Sequence, residues 1–142
     1  MIIKNKKASF EYTILDEIVA GIMLCGTEIK SIRDGKASLV DSYCSFTGNE
    51  LYLINSHIEE YEFGNINNHD PKRPRKLLLN KRELRKLKRK ITEKGLTIIP
   101  LNMFINDKGL CKLTICVAKG KKLFDKKIAI KEREIKRNLK NF

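Results

Sequence analysis

The residues with the clearest chemistry in this sequence are its lysines and arginines, which are concentrated in two blocks. Residues 72–94 hold 12 Lys and Arg against 2 Glu, and residues 119–140 hold 10 against 3 acidic residues. The first 71 residues are mildly acidic, with 11 Asp and Glu against 6 cations. Two basic blocks on an acidic body predict a polyanionic partner that meets defined surfaces, and nucleic acid is the leading candidate.

The sequence contains little that could carry out catalysis on such a partner. Only two histidines occur, His57 and His69, and we interpret both as surface or turn residues. Glu59 and Glu60 are adjacent, so on a strand they would point to opposite faces and could not act as a carboxylate pair. The motifs of phosphate-binding loops, serine hydrolases and zinc proteases do not occur. We therefore predict a binding protein rather than an enzyme, with no cofactor and no metal.

Length and composition predict a single domain with a hydrophobic core. The chain has 142 residues, which matches the usual domain size of roughly 100–150 residues, and no apolar run approaches the ~18 residues of a membrane span. The basic N-terminus is not followed by the apolar segment of a secretion signal, so we expect a cytoplasmic protein. The four cysteines form no C-x-x-C pair, and we interpret them as small buried hydrophobic residues.

Apolar runs, several of them alternating with polar residues, predict a series of short strands. They lie at 9–15, 18–24, 37–46, 51–54, 57–63, 96–105 and 110–118. Gly21 lies inside the second run, where it predicts a bulge or a close approach of two backbones. After that run, Thr27 is a candidate cap for a short helix that ends at Arg33. We expect Glu28, Lys30 and Arg33 on the outer face of this helix.

The best-defined element is a second helix that starts after Asn80. Asn80 is a good N-cap residue, and Glu83 supplies the partner of a capping box. Leu84, Leu87 and Ile91 then form a narrow apolar stripe, with cations around the rest of the helix. Gly95 follows as a natural terminator.

The order of these elements predicts a mainly β fold. At least six short strands with two or three short helices, without the spacing of β-α-β units, favour a closed antiparallel barrel of the oligonucleotide-binding kind. A flat α+β sheet is the alternative. We expect the barrel to occupy residues 1–124. Residues 125–142 have too few apolar residues for a further core element and predict a basic C-terminal tail that is mobile in the free protein.

Several stretches of the sequence match one protein family in order and with little insertion. They are EIKSIRDGK at 28–36 with DSY at 41–43, NHDP at 68–71 with RKLLLN at 75–80, AKGKK at 118–122, and DKK at 125–127 with IKER at 130–133. Together they resemble the SsrA-binding proteins, the small protein B family that binds bacterial transfer-messenger RNA.

The resemblance implies an oligonucleotide-binding barrel that holds the transfer-RNA-like domain of transfer-messenger RNA. It implies delivery of this RNA, together with elongation factor Tu and the aminoacylated RNA, to stalled ribosomes for trans-translation. The expected partners are therefore the RNA, the decoding centre of the small ribosomal subunit and the elongation factor, with no membrane and no second copy of the chain.

The resemblance and the residue types together give eleven candidate RNA-binding residues. They are Gly21, Lys30, Arg33, Tyr43, Arg75, Lys76, Leu78, Asn80, Lys119, Lys121 and Lys122. We expect Arg75 and Lys76 to position phosphates. Simpler roles stay open for others: Gly21 as an ordinary bulge, Lys30 and Arg33 as solvated charges, Tyr43 as a core residue, and Asn80 as a helix cap.

The tail carries the residues that the resemblance assigns to the ribosome. They are Phe124, Asp125, Lys126, Lys127, Ile130, Lys131, Arg133 and Ile135. Apolar residues recur in this segment at spacings of seven, four and three, which would align them on one face of a helix that forms on the ribosome.

One residue departs from the family at a position implicated in RNA binding. Many members carry Glu immediately before the Ala-Gly pair, where this sequence has Val19.

A structural RNA-binding or ribosomal protein remains the alternative function, because its charge and size would be similar.

Overall fold

Nine β-strands and three helices make up the part of the chain that the computed structural model describes, residues 2–64 and 68–120. In chain order they are β1 Ile2–Lys4, α1 Ala8–Glu11, β2 Tyr12–Ile22, α2 Gly26–Arg33, β3 Ala37–Ser38, β4 Tyr43–Thr47, β5 Glu50–Ile54, β6 His57–Ile58, β7 Arg75–Leu78, α3 Lys81–Lys94, β8 Thr97–Ile105 and β9 Cys111–Gly120.

Six of these strands close on themselves. The large antiparallel sheet has the order β1-β8-β4-β5-β7-β2-β9, and β9 also pairs with β8, so that β8, β4, β5, β7, β2 and β9 form a ring. Strand β1 is attached to β8, and β3 and β6 form a separate pair. The prediction of a mainly β, antiparallel fold with short helices is confirmed.

The main hydrophobic core is built from alternate residues of the ring strands and is completed by two helices. Helix α2 contributes Ile32 and helix α3 contributes Leu87, both buried against this core. A smaller cluster lies on the other face of β8 and β9, where Ala8 of α1 packs with Ile99 and Cys116. The pairing of β8 with β9 is irregular near Pro100, because its register shifts between Pro100 and Asn102.

Helix α3 has the ends that its sequence predicts. The Asn80 side chain accepts a hydrogen bond from the Glu83 amide at 2.8 Å, and the Glu83 carboxylate accepts one from the Asn80 amide at 3.2 Å. Gly95 ends the helix with φ of 62°. Leu87 is buried, while Leu84 and Ile91 pack partly buried against the main core. The local signals of this segment therefore agree with its tertiary packing.

Three predicted strands differ from the structure for identifiable local reasons. Residues 9–11 belong to α1 rather than to a strand, because α1 buries Ala8 in the smaller cluster. The predicted strand 37–46 is interrupted where Ser42 bonds the Leu39 carbonyl and Asp41 adopts φ of 61°. The predicted strand 57–63 pairs only at its first two residues, because the Asn68 side chain forms hydrogen bonds with the backbone amide and carbonyl of Tyr61.

The cysteines are mostly the small buried residues that the sequence predicts. Burial raises the pKa of the Cys111 and Cys116 thiols to about 11, and it raises that of Cys44 as well. Cys111 and Cys116 lie in the two different clusters, as their spacing on a strand predicts. Cys25 is the exception, because it is exposed at the start of α2.

The cap of α3 can be tested by substitution. Asn80→Ala removes the acceptor for the Glu83 amide, so we expect the free energy of unfolding to fall by about 1 kcal/mol in urea titrations. Asn80→Asp is the matched control, because aspartate is an equally good N-cap and should retain most of the stability. Equal stability of the Ala variant and the wild type would contradict this role.

Candidate nucleic-acid interface

A buried ion pair joins helix α2 to strand β7. The Glu28 and Arg75 side chains are both fully buried, and Arg75 Nε donates to Glu28 Oε2 at 2.6 Å. Glu28 Oε1 accepts from Arg73 at 2.5 Å and from the Cys25 amide at 2.8 Å. Arg75 also donates to the Ser56 hydroxyl at 3.0 Å. Both charged groups are therefore well supplied with partners, as burial of an ion pair requires.

The surroundings of Glu28 keep its carboxylate ionised. Burial opposes ionisation, but the hydrogen bonds from Arg73, from the Cys25 amide and from Arg75 outweigh burial and hold the pKa of Glu28 below its usual value. For Arg75, burial is the largest effect and lowers the pKa, with the Glu28 carboxylate opposing it. The sequence-based expectations for both residues are wrong, because Glu28 is not on the outer face of α2 and Arg75 is not available to position a phosphate.

The loop before β7 is held by its own side chains. Asn68 Oδ1 accepts from the Tyr61 amide at 3.2 Å, and Asn68 Nδ2 donates to the Tyr61 carbonyl at 2.8 Å. His69 Nε2 lies 2.9 Å from the Ile58 carbonyl, which only accepts, so this nitrogen carries the proton. The other ring nitrogen then accepts from the Thr27 hydroxyl at 2.8 Å. His69 lies in a loop, but these contacts bury it, so it is not a surface histidine.

Strand β7 places two candidate residues on the outside of the ring. Leu78 pairs with Gly21 of β2 and is 49% exposed. A Cβ atom on Gly21 would lie 3.1 Å from the Leu78 Cβ, so the glycine permits a close approach of the two strands, as predicted. Lys76 lies two residues before Leu78, on the same face of β7, and forms a half-exposed ion pair with Glu50 at 3.4 Å. Gly21, Lys76 and Leu78 therefore lie close together, and Asn80 follows at the start of α3.

The outer surface around Gly21 continues across neighbouring strands. Val19 is 53% exposed on the same face of β2, and Met23, just past the strand end, is also exposed. On β9, Lys112 pairs with Gly21 and Thr114 pairs with Val19. This surface combines exposed apolar side chains with the Lys112 amine.

The other described candidates lie elsewhere on the molecule. Lys30 and Arg33 are exposed on α2, as predicted, and the Lys30 amine lies 5.4 Å from the centre of the Tyr61 ring. Tyr43 is 43% exposed and lines a cleft of about 250 Å³ with Tyr12. Lys119 is exposed near the end of β9, opposite Thr13.

Helix α3 carries the densest group of exposed cations in the described residues. They are Lys81, Arg82, Arg85, Lys86, Lys88, Arg89 and Lys94. Two lysines of this helix attach it to the ring. Lys88 donates to the Gly48 carbonyl at 3.0 Å, and Lys90 binds Asp16 at 3.2 Å. The hydrogen bond and charge of Lys90 lower the pKa of Asp16.

Several candidates lie outside the described residues. They are Lys121, Lys122, Phe124, Asp125, Lys126, Lys127, Ile130, Lys131, Arg133 and Ile135. Within residues 2–64 and 68–120, no cluster of three or more His, Cys, Asp or Glu side chains could hold a metal ion. The helices in those ranges are also too short or too polar to cross a membrane.

Sequence reasoning overlooked two features of this surface. In the sequence, Arg73 is only one member of a basic block, yet its side chain binds the buried Glu28. Lys112 lies outside both basic blocks, and the structure places it beside Gly21. The alternation of apolar and polar residue types from Cys111 to Ile115 is the signal that could have placed Lys112 on the outer face.

These features define a small β protein with a closed ring of antiparallel strands and an excess of exposed cations, an arrangement suited to a polyanion. The model of the SmpB protein family matches residues 2–142. The chain is 58% identical over 137 residues to the SsrA-binding protein of Christiangramia forsetii, which covers 96% of this chain and 87% of that protein. It is 60% identical to the SsrA-binding protein of Flavobacterium psychrophilum, over 96% of this chain and 91% of that protein.

A solved structure gives the same answer at the level of the fold. The structure described as "tmRNA-SmpB: a journey to the center of the bacterial ribosome" matches with a TM-score of 0.74 and 45% sequence identity, over 91% of this chain and 94% of that chain. The chain therefore belongs to the SmpB protein family.

The buried ion pair predicts a specific dependence of stability on pH. Because the pKa of Glu28 is lower in the folded protein, its contribution is complete above the unfolded value of about 4.5 and is lost as pH falls through the folded value. Glu28→Gln should lower the free energy of unfolding by about 3 kcal/mol at pH 7. This difference from the wild type should shrink at pH 3 in urea titrations.

Glu93→Gln is the matched control, because Glu93 is exposed near the end of α3. Its effect at pH 7 should stay within about 0.5 kcal/mol. A Glu28→Gln effect of the same small size, or one that grows as pH falls, would contradict the role of Glu28 as the charged partner of the buried Arg75.

Proposed function

We propose that this protein binds the transfer-RNA-like domain of transfer-messenger RNA and delivers it to stalled ribosomes for trans-translation. Membership of the SmpB protein family supports this most directly, since the similar proteins are named SsrA-binding proteins and the similar solved structure is a tmRNA-SmpB ribosome structure. The partners are then this RNA, the decoding centre of the stalled ribosome, and elongation factor Tu with the aminoacylated RNA. The protein acts as a monomer in the cytoplasm and catalyses no reaction itself.

The single observation that carries the RNA site is the β2–β7 surface. Gly21 lets the exposed Leu78 lie close against β2, with Lys76 and Asn80 next to it along the chain. An apolar side chain flanked by an amine and a carboxamide fits the sugar and base faces of RNA together with its phosphates. The ring of strands is then the oligonucleotide-binding barrel, with residues 1–124 as the RNA-binding domain.

Further contacts in this proposal come from Lys30 and Arg33 of α2, from Tyr43, and from Lys119, Lys121 and Lys122. Arg75 contributes indirectly, because it is buried and fixes β7 rather than reaching a phosphate. The exposed cations of α3 add a salt-dependent attraction to any RNA. The selectivity must therefore come from the β2–β7 surface more than from total charge.

The function can be tested by capturing the protein from cells of its source and sequencing the bound RNA. We expect one abundant RNA of the transfer-messenger type, and we expect Leu78→Ala to reduce its recovery while the melting temperature stays close to that of the wild type. A structural ribosomal protein would instead be recovered in equal amounts with ribosomal RNA in all ribosomes. That result would contradict the proposal and favour the alternative.

The division between domain and tail gives a separate prediction. A chain that ends at Phe124 should bind the RNA nearly as well as the full chain in filter-binding assays, but it should not support peptide tagging on stalled ribosomes. Arg133→Pro should reproduce this failure, because proline disrupts a helix. Arg133→Ala is the matched control and should retain more tagging than the proline variant. Normal tagging by Arg133→Pro would contradict a helical tail, and loss of RNA binding by the shorter chain would contradict the division of roles.

A further inference from the structure

A cleft of about 410 Å³ lies between helix α3 and the turn of the β4–β5 hairpin. Its volume is within the range of roughly 300–1,000 Å³ that is usual for small-molecule sites. The hairpin contributes Phe46, Asn49 and Glu50 to the lining, and the helix contributes Leu84 and three cations. The cleft therefore combines apolar side chains with several positive charges.

The apolar part of the lining is held in place by the hydrophobic core. Phe46 and Leu84 are both partly buried, and both pack against the main core. Because these core contacts fix the two side chains, the apolar surface that they present to the cleft is formed before any ligand binds. An aromatic ring beside an aliphatic side chain fits the flat face of a nucleobase.

The three cations of the cleft are Lys81, Arg85 and Lys88 of α3. Their spacings of four and three residues place them side by side on one face of the helix. From the first to the last they extend over about 10 Å of the helix axis. Within residues 2–64 and 68–120, none of the three forms an ion pair with a carboxylate. Their charge is therefore available to an anion.

Lys88 has a fixed position and keeps its full charge. Its amine donates to the Gly48 carbonyl at 3.0 Å and to Asn49 Oδ1 at 3.1 Å, and it lies 5.9 Å from the centre of the Phe46 ring. All three partners are electrically neutral. An ammonium group has three N–H donors, so one donor remains for a ligand in the cleft.

Arg85 is anchored to its own helix. Its Nε donates to the Lys81 carbonyl at 3.3 Å, while its two terminal nitrogens have no hydrogen-bond partner in the described part of the chain. Two N–H groups of one guanidinium can bind two oxygens of the same phosphate. Glu50, the acidic residue of the lining, binds Lys76 at 3.4 Å. Its carboxylate therefore has a cation of its own and leaves those of α3 uncompensated.

We propose that this cleft binds a nucleoside polyphosphate. The base packs against Phe46 and Leu84, and the phosphates bind Arg85 and Lys88, with Lys81 at the end of the row. Three cations within two helical turns match a short chain of phosphates, and the adjoining apolar lining matches the attached base. A protein segment would instead carry single carboxylates spaced along its chain. This site goes beyond the proposed RNA-binding function and does not depend on it.

The experiment measures binding of ATP and GTP to the full-length protein by isothermal titration calorimetry. The salt concentration is about 150 mM, at which long-range attraction is screened. Each nucleotide is compared with its nucleoside, which lacks the phosphates, and with inorganic triphosphate, which lacks the base. We expect at least one nucleotide to bind roughly ten-fold more tightly than triphosphate, because stacking of the base adds to the attraction.

Substitutions assign the site to the cleft. Arg85→Ala should weaken nucleotide binding roughly ten-fold, because it removes charged hydrogen bonds to a phosphate. Arg89→Ala is the matched control, since Arg89 is exposed on the same helix but does not line the cleft, and it should bind like the wild type. Phe46→Leu keeps an apolar side chain and should weaken binding of the nucleotide but not of triphosphate. Melting temperatures of the variants without ligand separate loss of contact from loss of folding.

Two results would show only a general attraction to the charge of α3 and would overturn the site. They are equal affinities for nucleotide and triphosphate, and equal losses of affinity in Arg85→Ala and Arg89→Ala.

A transcript of the transfer-RNA-like domain tests whether the two sites are separate. A saturating amount of this transcript should leave the nucleotide affinity unchanged. Displacement of the nucleotide would assign the cleft to RNA, which overturns this inference and leaves the proposed function standing. Nucleotide binding by a protein that shows no preference for the transcript would support the cleft and contradict the proposed function alone.

Discussion

The buried ion pair between Glu28 and Arg75 fixes strand β7, the part of the ring with little strand pairing of its own. Strand β7 has only four residues and shares two aligned pairs with β2 and two with β5. Arg75 ties this strand to α2 through Glu28, and to the preceding turn through the carbonyls of Asp70 and Pro71. A buried pair contributes little net stability, because desolvation offsets most of its attraction, but it tolerates only one arrangement of its partners. Its main effect is therefore on geometry.

The fixed position of Arg75 determines which side chain is exposed three residues later, at Leu78. Once Arg75 is fixed, the alternation of β7 turns Leu77 into the core and Leu78 outward over Gly21. The chain then enters the Asn80 cap and helix α3, whose cations surround a single buried leucine. The apolar outer surface and the basic helix are thus positioned by the same short strand, although neither touches the ion pair directly.

The elements that were predictable from the sequence are those defined by neighbouring residues. The cap, stripe and terminator of α3 lie within 16 consecutive positions, from Asn80 to Gly95, and they agree with the structure. The Glu28–Arg75 pair joins residues 47 positions apart, and nothing local distinguishes its members from surface charges. Lys112 is not distinguished by its local sequence either, because it becomes a neighbour of Gly21 only through strand pairing. Periodicity thus predicts which face a residue occupies, whereas its neighbours across the sheet depend on register.

The distribution of acidic residues explains why so much positive charge remains available. Glu28 forms the buried ion pair with Arg75, Glu83 completes the cap of α3, and Asp16 binds Lys90. These carboxylates serve the fold, and they leave most cations of α3 exposed and close to one another. Mutual repulsion among those cations opposes folding, and the cap, the buried Leu87 and the two lysine attachments offset it. The helix is thus stabilised from its ends and its inner face, which leaves its outer face free to carry charge that only a polyanion would neutralise.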